Sequence, residues 1–280
     1  MHLLMILAAV AVAWCVRNRW ITPAGNWRER WQRAMMLFLF PPMLLLMTAI
    51  AVLCMGHSGQ MLGMLTDALS YIVAFGFLGF AGVLCLKLAV AGWKTVQKTR
   101  TYCRRNITGI PARILDTEAL FTAQIGFWHP ELVVSEGLLQ TLDSAHLEAV
   151  FAHEEAHYYY RDTFWFFWLG WVRSCTAWLP NTEALWQELL VLRELRADAK
   201  AAQQVDPLLL AESLLLVVSV LPAPCESFCA ALSAVAPRSR LEERIEALLA
   251  QPEEQSSTNV CFWMWLLLAF LPLLSVPFHN

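Results

Sequence analysis

Four stretches of this sequence are apolar for long enough to compete for a lipid bilayer, and that constrains the chain more than any other feature. Crossing the hydrocarbon core as a helix takes roughly 20 apolar residues. The stretches are residues 3–16, 34–55, 71–93 and 260–278. The first is short, with Arg17 and Trp20 following it at positions suited to an interface. The second carries Pro41-Pro42, a pair expected to kink or interrupt a helix. The third is broken only by Lys87, near one end, where a long stem can reach the surface. Composition agrees. Of 280 residues 58% are hydrophobic and only 15% charged, against about 25% charged in an average soluble domain. A net charge of −3 provides no global basic field, so direct binding of nucleic acid is not expected.

Charge placement orients the spans. Arg17, Arg19, Arg28, Arg30 and Arg33 follow the first stretch, and Lys94, Lys98, Arg100, Arg104 and Arg105 follow the third. Residues 56–70, between the second and third, hold no Lys or Arg. Positive residues mark the cytoplasmic side. The expected arrangement is a multi-pass protein of the plasma (inner) membrane with both termini outside and the block 94–258 in the cytoplasm. Basic residues follow the first apolar run rather than precede it, so it reads as a retained anchor and not a cleaved leader. The domains read as 1–93 (three spans), 94–258 (cytoplasmic) and 259–280 (a last span). Membrane lipid is one expected partner, and a homodimer stays open as another.

The cytoplasmic block reads as α+β. Residues 119–123 and 131–135 are short strands around a turn at Gly126. Asp143 or Ser144 then caps an apolar helix. Residues 163–179 are rich in Trp and Phe and barely long enough to span, and the indoles of Trp165, Trp168, Trp171 and Trp178 suit a membrane surface. A re-entrant or interfacial helix is the preferred reading, with a further crossing as the alternative. Helices follow from Asn181 or Thr182 to about 203, from Pro207 to about 220, and over 240–249, with a proline-rich loop at 221–237 and a polar linker at 251–259. The fold class is thus a mainly α membrane protein with about four transmembrane helices and a cytoplasmic α+β domain containing a small strand hairpin. The eight cysteines form no regular framework, and no disulfide scaffold is expected; Cys225 and Cys229 read as buried thiols.

Within the block, His153-Glu154-Glu155-Ala156-His157 fits His-Glu-x-x-His. A chance match in a chain of this composition is expected on the order of 0.01 times. Residues i and i+4 share a helix face, so both imidazoles can reach one Zn2+ ion. Glu154 lies beside the metal's open position, where zinc lowers the pKa of a water to roughly 7 and a carboxylate can take its proton. A hydrolytic zinc needs a third protein ligand. Glu194 and Asp198, again i and i+4, are candidates, Glu194 to coordinate and Asp198 to orient a histidine. The other reading is an ordinary charged helix with Glu/Arg pairs. Tyr158, Tyr159 and Tyr160 either add a hydrogen bond to an oxyanion or pack at the helix end.

The stretch Leu147–Asp162, with Trp178-Leu-Pro-Asn181 and the Glu-x-x-x-Asp of Glu194 and Asp198, resembles membrane zinc metallopeptidases of the BlaR/MecR type and, more distantly, the HtpX type. Helical His-Glu-x-x-His with a Glu on a later helix is the gluzincin arrangement. The resemblance extends over about residues 30–275. It implies that His153, His157 and Glu194 hold one catalytic Zn2+, that Glu154 is the general base and acid, and that Asp162 has a structural use. It also implies a cytoplasmic protein substrate, a winged-helix repressor of the BlaI/MecI/CopY type, and a role in signal transduction. The BlaR/MecR sensors carry an extracellular penicillin-binding domain after the last span, whereas this sequence stops at Asn280, so β-lactam sensing is not carried over. Other readings are HtpX-type quality control and a non-catalytic membrane receptor or scaffold. Near the outer loop, Cys54, Met55, His57, Met61 and Met64 offer thiolate, thioether and imidazole, a set that suits Cu(I), although methionine is also a common apolar filler.

Overall fold

Residues 2–21, 25–55, 64–219, 240–250 and 261–278 are described by a computed structural model. In chain order the helices α1 (His2–Asn18), α2 (Trp27–Met55) and α3 (Met64–Arg100) come first. Strands β1 (Cys103–Ile107), β2 (Ile110–Leu115), β3 (Thr122–Ile125) and β4 (Glu131–Ser135) follow. Then come α4 (Glu136–Thr141), α5 (Ser144–Tyr159), α6 (Asp162–Cys175), α7 (Thr182–Ala201), α8 (Pro207–Ser219) and α9 (Leu241–Leu249). Contacts divide the chain into one unit of Met1–Leu86, Leu169–Leu189 and Gln255–Asn280, and a second of Lys87–Trp168 and Leu190–Glu254.

Helix α2, in the first unit, and the Ala68–Arg100 part of α3, which runs from the first unit into the second, are long and apolar enough to cross a membrane. Helix α1 has 17 residues, about 26 Å of helix. The C-terminal stretch is broken into Cys261–Leu267, Leu268–Phe270, Leu271–Leu274 and Val276–Phe278, and Pro272 and Pro277 each lack the N–H a continuous helix would use. Helix α2 is not interrupted, since both prolines lie inside it. Pro42 has no N–H to give the Phe38 carbonyl, and Arg17 supplies the donor instead, its Nη2 lying 3.1 Å from that oxygen. Arg17 Nη1 donates to Thr182 Oγ1 at 3.1 Å, and the guanidinium stacks 5.1 Å from the Phe38 ring centre. Arg17 is therefore fully buried and not at the interface its sequence position suggested. Arg30 pairs with buried Glu188 at 2.7 Å.

The second unit is built on a four-stranded sheet of order β1-β2-β4-β3. The expected hairpin is present as β3 and β4, its first strand at Thr122–Ile125 rather than 119–123 and running up to the Gly126 turn, antiparallel with Thr122 opposite Val134 and Ile125 opposite Glu131. Gly126 turns between them at φ 148°, and a Cβ there would lie 2.7 Å from Pro130. The β1–β2 hairpin was not anticipated. Its turn is Thr108-Gly109, both at positive φ, as a two-residue hairpin turn requires. Strand β2 pairs with β4 in parallel, Ala112 opposite Leu132. Leu132 and Val134 pack with Leu138, Val150 and Phe151 of α4 and α5. Val133, Ala123 and Ile125 pack with Phe127, with Phe167 of α6, and with Leu88 and Val96 of α3. Each face of the sheet is thus covered by helices, as the alternation of a strand demands. Helix α6 has 14 residues, about 21 Å, which is too short to span unaided. It buries Phe166 and Phe167 and exposes Trp165 and Trp168.

Asp143, rather than Ser144, caps α5, accepting from the His146 N–H at 2.9 Å. Ala149 and Ala152 of α5 pack with Ala201 of α7, Leu210 and Ala211 of α8 and Leu248 of α9. These small residues let the helices approach closely. Cys15, Cys54, Cys85, Cys103 and Cys175 are free thiols. The Cu(I) set lies partly outside the described residues, at His57 and Met61, as do Cys225, Cys229, the loop 221–237 and the linker 251–259.

Gly137 is the tightest glycine, since a Cβ there would sit 2.1 Å from the Glu118 carbonyl oxygen. Gly137→Ala is expected to destabilise the second unit by about 1–3 kcal/mol through overpacking. A thermal melt of the detergent-solubilised protein, monitored by circular dichroism, reads this directly, and an unchanged melting temperature would refute the close approach.

Candidate metal centre

Helix α5 places His153, Glu154 and His157 within one turn, and α7 brings Glu194 and Asp198 to the same point. His153 Nε2 and His157 Nε2 lie 3.1 Å apart. Glu194 Oε2 is 3.3 Å from the first, and Oε1 is 3.7 Å from the second. Donors bonded at about 2.0–2.1 Å in a tetrahedron around zinc stand about 3.3 Å from one another. One donor atom from each of the three residues lies within 4.8 Å of the others, close enough for one ion to reach all three, and the donor set, two imidazoles and a carboxylate, is that of a hydrolytic zinc. These three residues form the only group of three or more His, Cys, Asp or Glu donors so arranged among the described residues.

Each imidazole has its own carboxylate behind it. His157 Nδ1 is 2.7 Å from Asp162 Oδ2, and His153 Nδ1 is 2.8 Å from Asp198 Oδ1. A proton held on Nδ1 by a carboxylate leaves the lone pair on Nε2, where a metal can use it. Asp198 thus stands where the sequence placed it. Asp162 does for the second histidine what Asp198 does for the first. Tyr160 lies under the Arg196 guanidinium, 4.2 Å from ring centre to cation.

Three arginines complete the centre, and their roles were not anticipated. Arg193 donates to Glu194 Oε1 at 2.6 Å. Arg196 donates to Asp162. Arg244 of α9 grips Asp198 with two bonds of 2.7 and 2.8 Å and reaches Glu194 Oε2 at 3.4 Å. A signal for Arg244 was available. Leu241, Ile245 and Leu248 are the apolar stripe of α9, and Arg244 falls inside that stripe, where a guanidinium needs a buried partner.

The electrostatics separate the carboxylates by role. Burial pushes Glu194 up, but Arg193, His157 and Arg244 outweigh it and hold the carboxyl well below its ordinary range. Burial likewise opposes ionisation of Asp198, and Arg244 overcomes it. Glu154 is buried too, yet it makes no ion pair among the described residues, and burial raises its pKa despite the nearby histidines. Of these three acids it is the one whose pKa is raised, the direction that favours taking up a proton. Burial would lower His153, but the Asp198 carboxylate and the contacts with Asp198 and Glu194 carry its pKa to about 9 in the metal-free protein.

Residues 120–216 match the family model described as Peptidase family M48. The match includes β3, α5 and the metal-holding part of α7, and it ends before Arg244. It marks a metallopeptidase domain of a kind that generally uses zinc. No curated protein matches the chain.

Two outcomes follow. Asp162→Ala and Asp198→Ala are each expected to weaken zinc binding by about 10- to 100-fold, read by competition with a chromophoric chelator. His153, with its pKa raised from 6.5 to about 9, is protonated at neutral pH without metal and must lose that proton to coordinate. Zinc affinity should therefore climb with pH until about 9, with proton release visible by calorimetry in buffers of different ionisation heat. By the same sign, the protonated ring stabilises the metal-free fold fully below pH 6.5, and that contribution disappears as pH rises through about 9.

Proposed function

We propose that this chain is an integral-membrane zinc metalloendopeptidase that hydrolyses peptide bonds in a cytoplasmic protein. Its substrate on this reading is a winged-helix transcriptional repressor of the BlaI/MecI/CopY type, so that cleavage relays a membrane event to transcription. The observation that carries the catalytic part is the convergence of His153, His157 and Glu194 beside a buried Glu154 that makes no ion pair among the described residues. The M48 match over both motifs supports it. The repressor rests on the BlaR/MecR resemblance, and the cytoplasmic site on the basic residues that flank the apolar stretches.

His153, His157 and Glu194 would hold the ion. A zinc there supplies Lewis-acid polarisation of the scissile carbonyl and stabilises the negative charge that develops on it. Glu154 takes the proton of the attacking water and passes it to the departing nitrogen, a task suited to a carboxyl whose burial has raised its pKa. Strand β3 is at the sheet edge, and its outer backbone groups can bind an extended peptide as an added strand. Gln124 of β3 donates to the Glu154 backbone carbonyl at 3.4 Å, which ties that edge to the catalytic helix. Arg193, Arg196 and Arg244 pair with Glu194, Asp162 and Asp198.

Glu154→Gln is expected to keep one zinc per chain while peptide-bond hydrolysis falls by about 10²- to 10⁴-fold. Retained activity with retained zinc would overturn the assigned role of Glu154. The same inactive variant, purified from its own cells, is expected to retain one winged-helix repressor. A broad set of unrelated proteins would point instead to quality control of the HtpX type.

A further inference from the structure

A cluster of large aromatic side chains lies away from the metal centre, on the face of the sheet that α3 and α6 cover. Phe127, in the β3–β4 turn, is 5.0 Å from each of Trp128, Phe164 and Phe167, centre to centre. Trp128 also meets Phe164 at 5.1 Å, and Trp168 meets Phe167 at 5.2 Å. Phe167 is buried and Phe127 and Phe164 are half-buried, whereas Trp128 is 67% and Trp165 57% exposed. Trp128 and Trp165 each meet the Phe164 ring at 5.1 Å, so one ring carries two exposed indoles, and exposed aromatic surface of this kind calls for a partner.

The position of the cluster along α3 identifies that partner. Phe127 and Phe167 belong to the same packed cluster as Leu88 and Val96 of α3. Those two residues bracket Trp93-Lys94, the point where the apolar run of α3 gives way to Lys94, Lys98 and Arg100. In a membrane-crossing helix, the step from apolar to basic residues with a Trp at the boundary marks the headgroup level. Trp93 is itself exposed. The aromatic cluster therefore sits at headgroup depth, and its partly polar indoles are the side chains that settle there.

We infer that Trp128 and Trp165 form a lipid-contacting surface that seats the catalytic unit in the cytoplasmic headgroup layer of the membrane that α3 crosses, with an anionic phospholipid as its occupant. The bracketing of Trp93-Lys94 by the two α3 residues that hold the cluster carries this inference. It rests on the reading of α3 as a span. Lys94, next to Trp93 on α3, provides charge that attracts anionic headgroups at that level. Both indoles extend the sheet-covering layer outward, so the domain is held at two places, by its helix and by this surface.

The full chain, reconstituted in vesicles of phosphatidylethanolamine and phosphatidylglycerol, tests it by photo-crosslinking. A benzophenone-bearing phenylalanine is placed at Trp128, at Trp165, at Phe75 within the apolar part of α3, and at exposed Gln204. Probes at Trp128, Trp165 and Phe75 are expected to form phospholipid adducts several-fold above the Gln204 level. Adducts at Phe75 with none at Trp128 and Trp165, or a protein adduct there in place of lipid, would overturn the inference and leave the span standing. Absence of lipid adducts at all four positions would remove the span as well. Because Trp128 and Trp165 are largely exposed, Trp128→Phe and Trp165→Phe should fold. Each should lose part of the fluorescence quenching that brominated phospholipid produces in the parent protein, and unchanged quenching would likewise count against the surface.

Discussion

Two imidazoles must present bare lone pairs to one point inside a buried site, and the rest of the catalytic unit follows from that demand. A ring nitrogen is fixed only if the opposite nitrogen is committed, and Asp162 and Asp198 commit the two rings. Those carboxylates are themselves buried, and an unpaired buried carboxylate would take up a proton or unfold the site. Arg196 pairs with Asp162 and Arg244 with Asp198. The centre is a set of nested pairs, imidazole to carboxylate to guanidinium, that draws on α5, the start of α6, α7 and α9. The small-residue packing of α5, α7, α8 and α9 is what allows chains this short to meet.

Against this background Glu154 is the exception. It shares the burial of the other acids and lacks their cation. The same low dielectric that makes Glu194 a dependable anion beside Arg193 makes Glu154 reluctant to ionise. One environment thus produces a permanent charge and a movable proton, depending only on where the guanidiniums point. The edge position of β3 next to the same helix puts an open strand edge and a buried carboxyl of raised pKa on adjoining elements.

The His-Glu-x-x-His pattern was legible because helical spacing alone forces its geometry. Glu194 and Asp198 were legible as a pair on one face, although spacing could not tell a ligand pair from a surface salt-bridge pair. Arg193, Arg196 and Arg244 were not, since a cation's partner is fixed by tertiary packing and not by its own helix. The β3–β4 hairpin declared itself through Gly126 and Pro130. The β1–β2 hairpin hid behind the basic run after α3, where Arg104 and Arg105 read as a membrane-flanking charge cluster and masked the Thr108-Gly109 turn. Arg17 was misplaced for a related reason. Its neighbours are polar, and nothing local shows that its proper acceptor is a carbonyl orphaned by a proline 25 positions later.

That last contact also bears on how the protein is made. Phe38 leaves the ribosome 21 residues after Arg17, so the first two helices can close as a pair soon after synthesis begins. Thr182 follows Arg17 by 165 residues, and until it emerges one arm of the guanidinium has no protein acceptor. Biogenesis is therefore not strictly vectorial, because α1 reaches its final seat only once the first residue of α7 has been translated.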